Sequence, residues 1–200
     1  MPRALRLPVL VALLSFMAPV TARADWMLIP YAGVRFGGST GLFDLDEGAG
    51  QRSYTLGLSM ARLGAGVLGV EADVGHTPRF FQRSGQAQPR ITSSSVTTMG
   101  ANLLLTLPLS VTRESLRPYA LVGVGGIRAR SADLINEFPI ESTMPSVTLG
   151  AGAIGYFSDA SGVRFDLRLH RSLGQGDDAL VRPGHRLRFW RGTVGLIRRF

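Results

Sequence analysis

Apolar residues in this chain return at every second position, segment after segment. Tyr54, Leu56, Leu58 and Met60 fall on one side of an extended backbone, with Ser53, Thr55, Gly57, Ser59 and Ala61 on the other. Leu68, Val70, Ala72 and Val74 alternate with Gly69, Glu71, Asp73 and Gly75. Val147, Leu149, Ala151 and Ala153 alternate with Thr148, Gly150, Gly152 and Ile154, and Val163, Phe165, Leu167 and Leu169 with Arg164, Asp166, Arg168 and His170. A helix, with period 3.6, would mix the two classes on every face; a strand keeps them apart. The alternation predicts eight strands, over 26–37, 52–62, 66–77, 92–106, 117–130, 146–157, 162–173 and 185–200. Long connections (38–51, 78–91, 131–145, 174–184) take turns with shorter ones (63–65, 107–116, 158–161), so the long ones share one end. This is the layout of an all-β, up-and-down antiparallel meander.

The first 24 residues read differently. Arg3 and Arg6 with no acid, an apolar run from Leu7 to Val20 broken only by Ser15, and Ala22-Arg23-Ala24 form a basic start, a short apolar core and a small-residue exit. That is the build of a secretory signal peptide, and Pro8 and Pro19 flank a run too short for a membrane helix. The expected division is 1–24 as signal and 25–200 as one domain, exported from the cytoplasm. After residue 24 no apolar run reaches the length of a membrane-spanning helix.

Phase alone does not say which face points inward. A soluble barrel puts its apolar face inside; an outer-membrane barrel puts it against lipid and fills the lumen with small or polar residues. Here the polar phase is Gly-, Ser-, Thr- and Ala-rich, which suits a crowded narrow interior. The chain has no Lys; all 22 cations are Arg. Charged residues are 18% of the chain, below the ~25% of ordinary soluble domains, and 25 Gly are about twice the usual share. Charges of opposite sign fall in mid-strand, and such charges must pair when buried. These features predict the inverted order, a transmembrane β-barrel. The polar phase then points Arg35, Glu71, Asp73, Asn102, Arg164, Asp166, Arg168, His170 and Arg191 into the lumen.

Several segments resemble the small outer-membrane β-barrel family related to the transmembrane domain of outer-membrane protein A. They are Pro30-Tyr31-Ala32-Gly33-Val34-Arg35-Phe36, Val70-Glu71-Ala72-Asp73-Val74-Gly75, Arg117-Pro118-Tyr119 leading into Gly123-Val124-Gly125, Gly162-Val163-Arg164-Phe165-Asp166-Leu167-Arg168, and Phe189-Trp190-Arg191-Gly192-Thr193-Val194-Gly195-Leu196 with Phe200. The resemblance implies an eight-stranded barrel with both termini in the periplasm and long loops outside the cell. It also implies that Phe200 resembles the terminal signal read by the barrel-assembly machinery. Arg198 departs from that signal, where the family has an apolar or aromatic residue; its long side chain reaches toward headgroups.

The charge balance is +8, and +5 once Arg3, Arg6 and Arg23 leave with the signal. Nucleic acid is not an expected partner, because the Arg residues are scattered and no aromatic platform accompanies them. Outward-phase Arg128 and Arg130, with Arg79, Arg83 and Arg90 near the second long loop, are candidates for lipopolysaccharide phosphates, since guanidinium forks match phosphate oxygens. Absence of Cys excludes disulfides and thiolate metal sites. His76, His170 and His185 lack metal-ligand spacing, Gly123-Val124-Gly125-Gly126 lacks a helix after its strand, and Asp44-Leu45-Asp46-Glu47 reads as solvated surface, so no cofactor is expected. His170 and Ser172 share a face and resemble the His-x-Ser pair of lipid A deacylase barrels. In that family Asn follows the Ser, where this chain has Leu173, and here the pair lies on the lumen phase. The expected reading is a monomeric, non-enzymatic outer-membrane barrel with a structural or surface role, or with a narrow gated lumen. A lipid A-modifying barrel and an adhesin acting through 38–51 and 131–145 are its alternatives.

Overall fold

All eight alternating segments are strands, and the last closes on the first. In a computed structural model of the chain, the described residues are 25–40, 52–64, 66–78, 80, 91–112, 116–133, 140–173 and 187–200. The expected signal segment 1–24, the Asp44–Glu47 cluster, Arg79, Arg83, Arg90 and His185 lie outside them. The strands are β1 (Asp25–Thr40), β2 (Ser53–Leu63), β3 (Leu68–Pro78), β4 (Ile91–Thr106), β5 (Arg117–Asp133), β6 (Ile140–Ser158), β7 (Ser161–Ser172) and β8 (Leu187–Arg199). Every neighbouring pair is antiparallel, β8 with β1 included. No helix among the described residues is long and apolar enough to cross a membrane.

The register sets the geometry of the barrel. A path across the strands from Asp25 runs through Leu63, Gly69, Leu104, Leu121, Gly150, Arg168 and Arg191, and returns to β1 at Arg35. It re-enters ten residues further along, and such a stagger on eight strands tilts them by ~35–45° to the barrel axis. The interior of a barrel this size is filled by side chains.

The strands near the long-loop end outrun their sequence-based limits. β5 continues to Asp133 and β6 begins at Ile140, so most of the loop expected at 131–145 is paired strand. β1 likewise runs to Thr40, past the expected end at 37. The physical reason is that these extensions lie above the band where lipid demands an apolar phase. Stretches such as Ile140-Glu-Ser-Thr-Met-Pro pair by backbone without displaying the alternation. The β2–β3 turn is also shifted, with β3 starting at Leu68 rather than 66, and the 107–116 connection holds one helical turn, Leu109–Thr112.

Arg117 clasps that short-turn end. Its guanidinium, 2% exposed, donates from Nε to the Leu107 carbonyl at 2.8 Å, from Nη1 to the Gly64 carbonyl at 2.9 Å, and from Nη2 to Thr106 Oγ1 at 2.8 Å and to the Gly66 carbonyl. One side chain thus ties two turns together. Arg117→Ala is expected to cost ~1–3 kcal/mol, the range for orphaned buried acceptors, with faster amide exchange confined to 64–67 and 106–112. Unchanged exchange there would refute the clasp.

Candidate functional site: the layered lumen and the outward rim

Outward and inward phases have opposite chemistry. Leu56, Val124 and Leu196 are 62–65% exposed, whereas Arg35, Arg164 and Arg191 are at most 2% exposed. An apolar outer wall around a charged interior is stable only with lipid outside. This chain is therefore a transmembrane β-barrel of the outer-membrane type.

The lumen is built in three layers. Toward the short-turn end, Met27, Ile29, Leu63, Leu104, Tyr119, Leu121, Ile154 and Ile197 pack into one apolar cluster with Ala61. Toward the long-loop end, Phe80, Val96, Ile127, Leu187 and Phe189 form a second, with Ala129 and Met144 against it. Phe80 folds in from beyond β3 and meets Phe189 edge to face at 5.4 Å.

Between them lies an ionic layer. Glu71 receives Arg164 Nη1, Arg168 Nη1 at 2.8 Å and Asn102 Nδ2 at 2.8 Å. Asp73 receives Arg191 Nη2 at 2.7 Å and Ser59 Oγ at 3.0 Å. Asp166 receives Arg168 Nε at 2.9 Å and Arg164 Nη2 at 3.0 Å. Arg168 Nη1 also lies 3.5 Å from Asp73, so this one guanidinium bridges all three carboxylates. Three Arg and three acids balance, which is what burial at low dielectric requires.

Tyrosines and glycines complete the layer. Arg164 stacks over Tyr119 at 4.6 Å and Arg191 over Tyr31 at 5.0 Å. The Tyr119 hydroxyl accepts from Arg164 Nε at 2.6 Å, and the Tyr31 hydroxyl donates to the Val74 carbonyl at 3.0 Å. Each ring lies over a glycine: a Cβ on Gly57 would be 2.3 Å from Tyr31 Cζ, and one on Gly152 would be 2.3 Å from the Tyr119 hydroxyl. Gly75 does the same for Arg191 Nη1. Both tyrosines share the inward phase of Arg35 and Arg117 on their own strands. That phase was the available signal for them, although attention to charge alone passes over them.

The remaining predicted site residues separate. Arg35 lies a layer above the acids, stacked on Phe80 at 3.8 Å, with Nη2 donating to Ser53 Oγ at 3.1 Å and the Phe80 carbonyl at 2.9 Å. His170 is interior, stacked on Phe189 at 5.1 Å, with Nδ1 at 3.1 Å from Thr148 Oγ1. Ser172 is interior too, its Oγ accepting from the Leu187 amide at 2.8 Å. The His-x-Ser pair of the deacylase alternative thus faces the lumen and not lipid. Among the described residues no cluster of His, Asp and Glu could hold a metal. On the outside, Arg130 is exposed and Arg128 half-buried. At the other end Arg199 Nε pairs with Asp25 at 2.8 Å, Arg62 lies 5.7 Å over Trp26, and Arg198 and Phe200 are exposed.

Solved structures share this architecture. Neisserial surface protein A superposes with a TM-score of 0.63 at 13% identity, covering 88% of this chain and 97% of that one. OprG from Pseudomonas aeruginosa gives 0.58 at 14% identity, covering 90% and 97%. Ail, the attachment invasion locus protein of Yersinia pestis, solved with the heparin analogue sucrose octasulfate, gives 0.52 at 17% identity, covering 88% and 99%. No protein-family model and no curated protein matches the sequence. The fold is that of the small eight-stranded outer-membrane barrels.

Proposed function

We propose that this protein is a resident, non-enzymatic outer-membrane barrel with a closed lumen, exported by residues 1–24, whose role is exercised at its outward rim and loops. The observation that carries this reading is the pair of apolar clusters sealing the ionic layer from both ends. An ion would have to pass both close-packed apolar clusters, and apolar constrictions exclude ions by dewetting. A gated path would need both layers to open, not only a shift of one Arg between carboxylates. His170 and Ser172 are enclosed, which speaks against a lipid-modifying site.

A surface-binding role has its own support. β5 and β6 are 17 and 19 residues long, against the ~9–11 that cross a bilayer, so this part of the wall stands well clear of the lipid. In planar bilayers the pure, heat-modifiable protein is expected to give no current steps. Discrete steps from the wild-type protein would overturn the closed-lumen reading, and recovery of the protein in the soluble periplasmic fraction would overturn its location.

A further inference from the structure

We infer that Arg171 and Arg188 form a binding site for a phosphate carried by an outer-leaflet lipid headgroup. The inference rests on the reading above only in taking the long-loop end to face out of the cell. The two residues are direct cross-strand partners on β7 and β8. Both are exposed, while His170, Ser172, Leu187 and Phe189 beside them are buried, so both guanidinium groups point to the outer wall. Side chains placed this way begin ~4.5–5.5 Å apart, and like charges directly opposite destabilise a sheet.

Among the described residues, no acid stands level with either Arg in the adjoining register. The next strand beyond Arg171 offers Val147, and the one beyond Arg188 offers Ser39. Other surface Arg are placed differently: Arg130 has Glu141 opposite it, and Arg199 is paired with Asp25. This pair is thus a further candidate for lipid phosphate beside Arg128 and Arg130, and among the described strand pairings it alone sets two guanidinium groups directly opposite each other on the outer wall.

The height of the pair identifies the ligand. Directly below it on β7 the outward residues are Leu169, Leu167 and Phe165, and on β8 Trp190, Val194 and Leu196. Arg171 and Arg188 therefore sit at the upper edge of the lipid-facing band, with Trp190 at the level favoured by interfacial indoles. A phosphate between two guanidinium forks takes paired hydrogen bonds from each and turns their repulsion into shared attraction. The acyl chains of the same lipid would lie along Leu169 and Phe165, which a free phosphate cannot use.

The test uses the full chain folded in phosphatidylcholine nanodiscs doped with diphosphoryl lipid A, with retained lipid counted by native mass spectrometry. Wild type is expected to retain lipid A over its dephosphorylated form, and Arg171→Gln/Arg188→Gln to lose about ten-fold or more of that retention. Arg128→Gln/Arg130→Gln should keep it, and millimolar inorganic phosphate should not displace it. Equal retention by the Arg171/Arg188 variant, or of the dephosphorylated lipid, overturns the proposal. Displacement by inorganic phosphate overturns it in favour of a free-anion site. The single variant Arg171→Gln gives a second reading: it should raise the unfolding midpoint in phosphatidylcholine alone, by removing the repulsion, and lower it when lipid A is present. The same sign in both lipids would refute a bridging phosphate. Heat-modifiable mobility, measured on each variant, reports separately whether the barrel itself has formed.

Discussion

Arg168→Met is expected to lower the stability of the barrel in lipid vesicles by ~3–5 kcal/mol, the cost of breaking a buried ion pair by removing one partner. Arg168 touches Glu71, Asp73 and Asp166, so its loss leaves three carboxylates facing two guanidinium groups. Methionine keeps most of the volume, which separates the charge effect from a cavity effect. Arg168→Lys should recover only part of the loss, because an ammonium cannot present the planar fork that Nε and Nη2 offer Asp166. Urea unfolding followed by the fluorescence of Trp26 and Trp190 measures both. A midpoint for Arg168→Met equal to wild type would mean that the ionic layer contributes nothing to stability. Removing the whole layer is a different experiment, since a well-packed apolar replacement of balanced charges is often neutral or stabilising.

Gly152→Ala should be strongly destabilising for so small a change, at ~1–3 kcal/mol for overpacking a filled interior. The added methyl would lie 2.2 Å from the Phe165 carbonyl oxygen and 2.3 Å from the Tyr119 hydroxyl. The carbonyl belongs to the β6–β7 ladder and cannot swing away, so the strands must part or the ring must move. Moving the ring breaks the 2.6 Å bond from Arg164 Nε and carries the disturbance into the ionic layer. Alanine's lower unfolded-state entropy offsets ~0.5–1 kcal/mol at most, so the clash wins. Gly126→Ala is the control, because its methyl would find only the Met144 carbonyl at 3.9 Å. If the two variants unfold alike, the close approach at Gly152 is not what the glycine is for. Placing Gly152→Ala in a Tyr119→Phe background removes one of the two clashes and should recover part of the loss.

Much of this arrangement was legible from two-residue periodicity. Phase alone sent Glu71, Asp73, Arg164, Asp166, Arg168 and Arg191 to one side and Val70, Val74, Phe165 and Leu167 to the other, as their burial shows. Phase is reliable within the lipid band because a one-residue slip would turn every charge toward hydrocarbon. Above that band the constraint vanishes, so alternation does not mark the outer ends of β1, β5 and β6. Arg35 illustrates a second limit. Its inward phase was readable, but its seat on Phe80 depends on a residue beyond β3 folding back over the mouth. The glycines illustrate a third. Their number suggested a narrow interior, while their individual task of making room for Tyr31, Tyr119 and Arg191 appears only when strands are laid side by side.

The alternation of residue types already dictated strands, their number and the composition of each face, because side-chain direction in an extended chain is a local property. Partnership is not local. Glu71 and Arg164 lie 93 positions apart in the chain and meet across the lumen. Arg171 and Arg188 become neighbours only through the pairing of β7 with β8. The stagger of ten residues on closure sets which acid stands level with which guanidinium, and which layers close above and below them. That stagger is a sum over all eight pairings, so no single segment of sequence carries it.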